Sequence, residues 1–306
     1  MKIDLFNVNP EDEFAFDLLI FAVGYEARAR HVAERYCRCA KTILGYVFPD
    51  GHQLSFDTNH RFLKECGGHD LQSGVSIKSR LQDLNPDADF RGSKICIDVS
   101  SLNRGAMAFL LAELLDSEFF KNAEITVFYS VAVFVPPPSE ELDFLDFAPL
   151  DNFGGWTSNP ERPTALVLGL GYETDHAVGA LEFLDPSATF AFFPVGSDER
   201  FEKQVEAANR SFFELINADR IIKYPVLSPY QTFWEMRSLI LSLSGVARTV
   251  LVPMGPKIFS SLCLVSQRMF GDEISIWRAS GHSLAMARDA HASGEITGYV
   301  IRRVDE

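Results

Sequence analysis

The sequence predicts an α/β protein built from two tandem Rossmann-like units with mainly parallel sheets, related by internal duplication. Three observations lead there. An apolar run ending in Gly-Tyr-Glu occurs in each half, as Leu18–Glu26 and again as Ala165–Glu173. Apolar strand patterns alternate with helical patterns in the same order after each copy, and such alternation implies a parallel sheet with crossover helices. The runs are continuously apolar rather than alternating, as suits strands buried on both faces.

Taken in order, Lys2–Val8 reads as a leading strand and residues 18–23 as the first buried strand, with Gly24 allowing a tight turn. Ala29, Val32, Ala33 and Tyr36 have helical spacing, so a helix is expected over Ala27–Cys39. Thr42–Phe48 is the next strand, stopped by Pro49-Asp50-Gly51. Helices follow at Phe56–Cys66 and Ile77–Leu84, then a strand at Lys94–Val99. Ser100-Ser101 is read as the cap of a helix over Arg104–Leu115, and Glu124–Val135 closes the first unit, residues 1–135. Residues 136–163 form a Pro-rich, acidic connection that also holds Phe144, Phe147 and Trp156. The second unit, 164–306, repeats the pattern. Strands are expected at Leu166–Leu170, Ala188–Phe193, Val250–Val252, Glu273–Arg278 and Tyr299–Val304. Helices are expected at Thr174–Leu184, Phe201–Ile216, Pro229–Leu243 and Ser260–Met269, the third begun by Ser228 with Pro229 in its first turn. Phe48, Phe56, Phe193 and Phe201 recur in both halves as packing positions of one unit.

Composition narrows the function classes. The chain of 306 residues is 47% hydrophobic and 23% charged, with a formal net charge of −14. A broad duplex-binding surface is normally basic, so an extended nucleic-acid interface is disfavoured, whereas a small anionic ligand in one locally basic pocket is compatible. No apolar run reaches the length of a membrane span, and the acidic start lacks a signal peptide's core; the expected location is the cytoplasm. Five scattered cysteines without a CxxC fit a reducing compartment. Cys37 and Cys39 have no Cys/His pair at ligand spacing, and the seven histidines form no HExxH pair, so no metal site is expected. GxSxG and Walker A motifs are absent from the sequence.

In open α/β sheets ligands bind beyond the carboxyl ends of the strands, where the strand order reverses. That places the candidate positions on paired loops: Gly24, Tyr25 and Glu26 with Ser100, Ser101 and Arg104 in the first unit, and Gly171, Tyr172 and Glu173 with Gly255 and Lys257 in the second. Glycine admits close approach of a ligand. Tyrosine stacks on a base, glutamate accepts from base or ribose, and hydroxyls with a cation at a helix start suit phosphate. Structural roles compete at each position: a turn glycine, a packed tyrosine, a capping glutamate. Arg28 and Arg30 read as solvated helix residues. The first copy keeps an acid and hydroxyls (Asp98-Val99-Ser100-Ser101) where the second has Pro253-Met254-Gly255-Pro256-Lys257. If the protein is an enzyme, Glu26 and Asp98 are the expected acid–base or nucleophilic residues.

The turns Asp98–Met107 (DVSSLNRGAM) and Val252–Lys257 (VPMGPK), each after a buried strand and leading into a helix, resemble those of the CARF and SAVED sensor domains of prokaryotic antiviral systems. The resemblance implies Rossmann-like units paired around a cyclic-nucleotide signal, with a protein partner or effector to read it out. The expected function is a binding module for a nucleotide or nucleotide-derived signal at a composite pocket between the halves. Two readings stand beside it: a nucleotide- or nucleoside-processing enzyme using Glu26 and Asp98, and a non-catalytic subunit docking a partner through its acidic surface and Phe-rich connection. No cofactor is assigned.

Overall fold

The structure is a computed structural model that describes residues 2–49, 52–136, 144–155, 160–281 and 288–304. Trp156, His282 and much of the acidic stretch of the connection lie outside the described residues.

The first unit contains β1 (Lys2–Asn7), β2 (Phe16–Val23), α1 (His31–Tyr36), β3 (Ala40–Val47), α2 (Phe56–Glu65), β4 (His69–Gln72), α3 (Ile77–Leu84), β5 (Lys94–Asp98), α4 (Arg104–Asp116) and β6 (Glu124–Ala132). The second contains β7 (Phe144–Pro149), β8 (Thr164–Gly169), α5 (His176–Leu184), β9 (Ala188–Val195), α6 (Glu199–Ala208), α7 (Arg210–Phe213), β10 (Ile221–Pro225), α8 (Pro229–Leu243), β11 (Arg248–Pro253), α9 (Lys257–Phe270) and β12 (Ile274–Gly281). The last strand, β13 (Ala292–Val304), returns to the first unit.

The two sheets run β1-β13-β6-β5-β2-β3-β4 and β10-β9-β8-β11-β12-β7. Numbered by appearance among the parallel strands of its own unit, each set of five has the order 3-2-1-4-5, that of a Rossmann fold without its sixth strand. The fold is thus two Rossmann-like units, as predicted. In each, the order reverses between the first strand and the fourth: β2 beside β5, and β8 beside β11. Antiparallel strands extend one edge of each sheet, β13 and β1 beyond β6, and β7 beyond β12.

The unit boundaries differ from the expected ones. Met1–Val133 and Met286–Glu306 make up one unit and Phe134–Ala285 the other. The final strand was expected in the second unit. It lies instead between β1 and β6, pairing antiparallel with both, because those two strands offer it a ladder on each side. The connection is also not a plain linker: β7 lies within it and pairs with β12, and Phe147 and Phe153 are buried.

β2 shows why the continuous apolar run becomes a central strand. Leu18 through Val23 are all buried. Leu19, Phe21 and Val23 pack with Val32, Ala33 and Tyr36 of the α1 region and Leu63 of α2. Burial of each such Leu, Val or Phe side chain contributes roughly 1.5–3 kcal/mol. In the second unit Leu166 and Leu168 pack with Ala177 and Ala180 of α5 and Phe212 of α7. Phe147 joins that same core, so it is not part of an exposed docking patch.

Candidate functional site

The two switch points are built differently. In the second unit β8 and β11 pair all the way to their carboxyl ends, from Thr164↔Arg248 to Gly169↔Pro253. The pairing then continues into the loops, where Met254 and Gly255 both donate backbone N–H groups to the Gly169 carbonyl. The backbones approach so closely that a methyl group at Gly255 would sit 2.3 Å from the Leu170 oxygen, and one at Gly171 would sit 2.7 Å from the Met254 oxygen. Both glycines are therefore required by close approach of backbone, and the gap between these strand ends is closed.

In the first unit β2 and β5 pair only over Leu18↔Ile95 to Ile20↔Ile97. Beyond that point β5 leans toward β6: Asp98 pairs with Phe128, and Val99 N–H donates to the Phe128 carbonyl. In the second unit the amides just past β11, those of Met254 and Gly255, turn the other way, toward β8. The strand ends of the first unit therefore part, which is the arrangement that opens a crevice at a switch point. Gly24 makes only ordinary contact there, its nearest neighbour being the Phe48 ring at 3.6 Å from an added methyl.

Side chains bridge the parted ends. Glu26 Oε2 accepts from Ser101 Oγ at 2.6 Å and from Arg28 Nε at 2.9 Å. Arg28 Nη1 donates to the Ser130 carbonyl at 3.3 Å, and its guanidinium lies over the Tyr129 ring. Ser130 N–H donates to Ser100 Oγ at 2.7 Å, and Ser100 Oγ donates in turn to Asp98 Oδ1. Asp98 Oδ1 also accepts from Ser100 N–H. Glu26, Arg28, Ser130, Ser100 and Ser101 thus form a closed polar ring across the ends of β2, β5 and β6. His31 Nδ1 shares a hydrogen bond with Ser130 Oγ at the edge of the ring.

Asp98 is 1% exposed and its Oδ2 has no hydrogen-bond partner among the described residues. Burial pushes its carboxyl up to about 7, against the bonds from Ser100 and the Arg28 charge, with the nearby Glu26 adding to the rise. Glu26 is different: its side chain is 21% exposed, and its Oε1 accepts no hydrogen bond among the described residues. Tyr25 is half-buried, and burial raises its hydroxyl above the usual tyrosine range.

The loop carrying Gly24–Glu26 is held by residues that the sequence reading did not select. Asn59 of α2, fully buried, donates to the carbonyls of Gly24 and Glu26 at 2.8 Å each. Asp289 accepts from Ala27 N–H at 2.6 Å and from Ser55 Oγ at 2.8 Å. Arg28 N–H reaches the Ala290 carbonyl at 2.9 Å. The second unit repeats the asparagine latch, with Asn209 donating to the Gly171 carbonyl at 2.8 Å. A polar residue after the second strand of each half was the available signal.

Three expectations are corrected. Arg28 is 8% exposed rather than solvated, because Glu26, Ser130 and Tyr129 surround it. Ser100 and Ser101 do not cap α4; Asn103 does, accepting from Ala106 N–H, while the two serines serve Asp98 and Glu26. The two Gly-Tyr-Glu turns are not equivalent: Glu173 folds back beside Gly171, with Oε2 buried and without a hydrogen-bond partner among the described residues, whereas Glu26 reaches Ser101. Tyr172 is exposed and stacks on Phe201. Arg104 and Lys257 open α4 and α9, each half-buried.

Among the described residues no group of three or more His, Cys, Asp or Glu side chains is disposed to hold a metal ion, and no helix is long and apolar enough to cross a membrane. No protein-family model matches the chain, and no curated protein matches it significantly.

Proposed function

We propose that the first unit binds a nucleotide or nucleotide-derived signal in the crevice between the carboxyl ends of β2 and β5. One observation carries this reading: the strand ends part at the switch point of the first unit and leave there a partly exposed carboxylate fixed by an arginine and a serine. The same position in the second unit is closed by backbone contact. A carboxylate acceptor suits ribose hydroxyls or base N–H groups, and Tyr25 offers an adjacent ring. A protein partner or effector would read out the bound state.

The test is a thermal-shift screen of the full chain against linear and cyclic nucleotides. Stabilisation by one of them, rising with its concentration and lost in Tyr25→Ala, is the expected result. No shift with any nucleotide overturns the proposal.

A second reading has its own support. Asp98 titrates near neutrality next to a second carboxylate, the situation that general acid–base chemistry uses. In that reading the protein consumes the nucleotide it binds. Mass analysis of each mixture decides it: product formation that stops in Glu26→Gln or Asp98→Asn supports an enzyme, and turnover surviving in both variants excludes these residues.

A further inference from the structure

We infer that the crevice of the first unit takes its ligand by the ligand's hydrogen-bond donors, ribose hydroxyls or a base amino edge, with phosphate held away from the Glu26 contact; this rests on the nucleotide reading above. The polar ring leaves more acceptors than donors facing its open side.

Most donors of the polar ring around Glu26 are directed within the protein. Ser100 is fully buried, gives its proton to Asp98 and accepts from Ser130 N–H. Ser101 gives its proton to Glu26. Arg28 directs Nε to Glu26 and Nη1 to the Ser130 carbonyl, and is almost completely buried. The Ala27 and Arg28 backbone N–H groups, which would otherwise form an anion-binding turn, donate to Asp289 and Ala290.

What remains on the open side is acceptor capacity: Glu26 Oε1, which accepts no hydrogen bond among the described residues, and the lone pairs of Ser101 Oγ. An entering phosphate would meet a carboxylate and a hydroxyl oxygen already acting as a donor elsewhere, and its charge would be repelled. An entering hydroxyl or amino group would complete the bonding of Glu26 and form a charge-assisted hydrogen bond. A vicinal diol can supply two donors, one to each oxygen. The formal net charge of −14 acts in the same direction, against a phosphate-led approach. Hydroxyl-proton contacts to phosphate from Ser100 and Ser101, expected from the sequence, are therefore replaced by internal ones.

The experiment is isothermal titration of the full chain with adenosine, guanosine, cytidine and uridine, with their 5′-monophosphates, and with sodium pyrophosphate. At least one nucleoside is expected to bind within about tenfold of its monophosphate, and pyrophosphate is expected not to bind. Glu26→Gln is expected to weaken that nucleoside by about tenfold or more, in line with a lost charge-assisted bond. Glu26→Asp, which keeps the charge but withdraws the acceptor, serves if the glutamine variant does not fold. Pyrophosphate binding as tightly as a nucleotide, or a nucleotide that binds while its nucleoside does not, overturns the donor-led inference and leaves the nucleotide reading standing. Silence of every nucleoside, nucleotide and pyrophosphate overturns the donor-led inference, and if no linear or cyclic nucleotide shifts the melting temperature either, the nucleotide reading falls with it.

Discussion

Asp98 is the residue with the most distinct chemistry. Its carboxyl titrates near 7 in the fold, against 3.8 for an ordinary aspartate. Between those values the folded state holds a proton that the unfolded chain has released. The Asp98 contribution to stability is therefore full below about pH 4, declines as pH rises, and levels off above 7, a loss of up to about 4 kcal/mol. Denaturant titrations of wild type and Asp98→Asn at pH 5 and pH 8 check this: wild type is expected to lose stability relative to the variant at the higher pH. The asparagine latches make a second case. Asn59→Ala leaves the Gly24 and Glu26 carbonyls without their side-chain donor, and Asn209→Ala does the same to Gly171; each is expected to cost about 1–3 kcal/mol in a thermal melt. The sequence singled out Glu26 and Asp98 because a polar turn after an apolar strand stands out locally. It did not reveal the burial of Arg28, whose partner Ser130 comes from β6, or the role of Asp289, which lies 262 residues from Ala27. Neither contact leaves a trace in local pattern.

At the level of elements, the contrast between the two strand pairs has a direct test in glycine. Gly24→Ala would place its methyl at ordinary packing distance from Phe48, and little change in melting temperature is expected. Gly255→Ala would drive a methyl against the Leu170 carbonyl, and destabilisation by about 1–3 kcal/mol is expected as the loops are forced apart. Equal effects of the two substitutions would refute the difference between an open and a closed switch point. Periodicity found the long elements well, including α3 and α8 with the bounds expected for them. It missed β4, β7 and β10, strands of four to six residues at or beside sheet edges. Such strands need little apolar length, and neighbouring strands supply their hydrogen bonds. β1 was recognised as a strand, but its partner could not be, because β13 lies at the far end of the sequence.

For the whole molecule, the division into units gives an asymmetric expectation. Phe134–Ala285 is one continuous segment with its own sheet and core, and expressed alone it is expected to fold, with cooperative melting by circular dichroism. Residues 1–133 alone lack β13, which leaves β1 without its partner and β6 with an open edge, and aggregation is expected. The same feature sets a timetable during synthesis. The ribosome releases β1 before the inserted unit and its pairing partner only after that whole unit has been made. The second unit can close while translation is still under way, but the first must wait for residues 292–304. A message that stops early would leave a well-formed second unit attached to an unfinished first one, so the polar ring would be complete only in chains translated through β13.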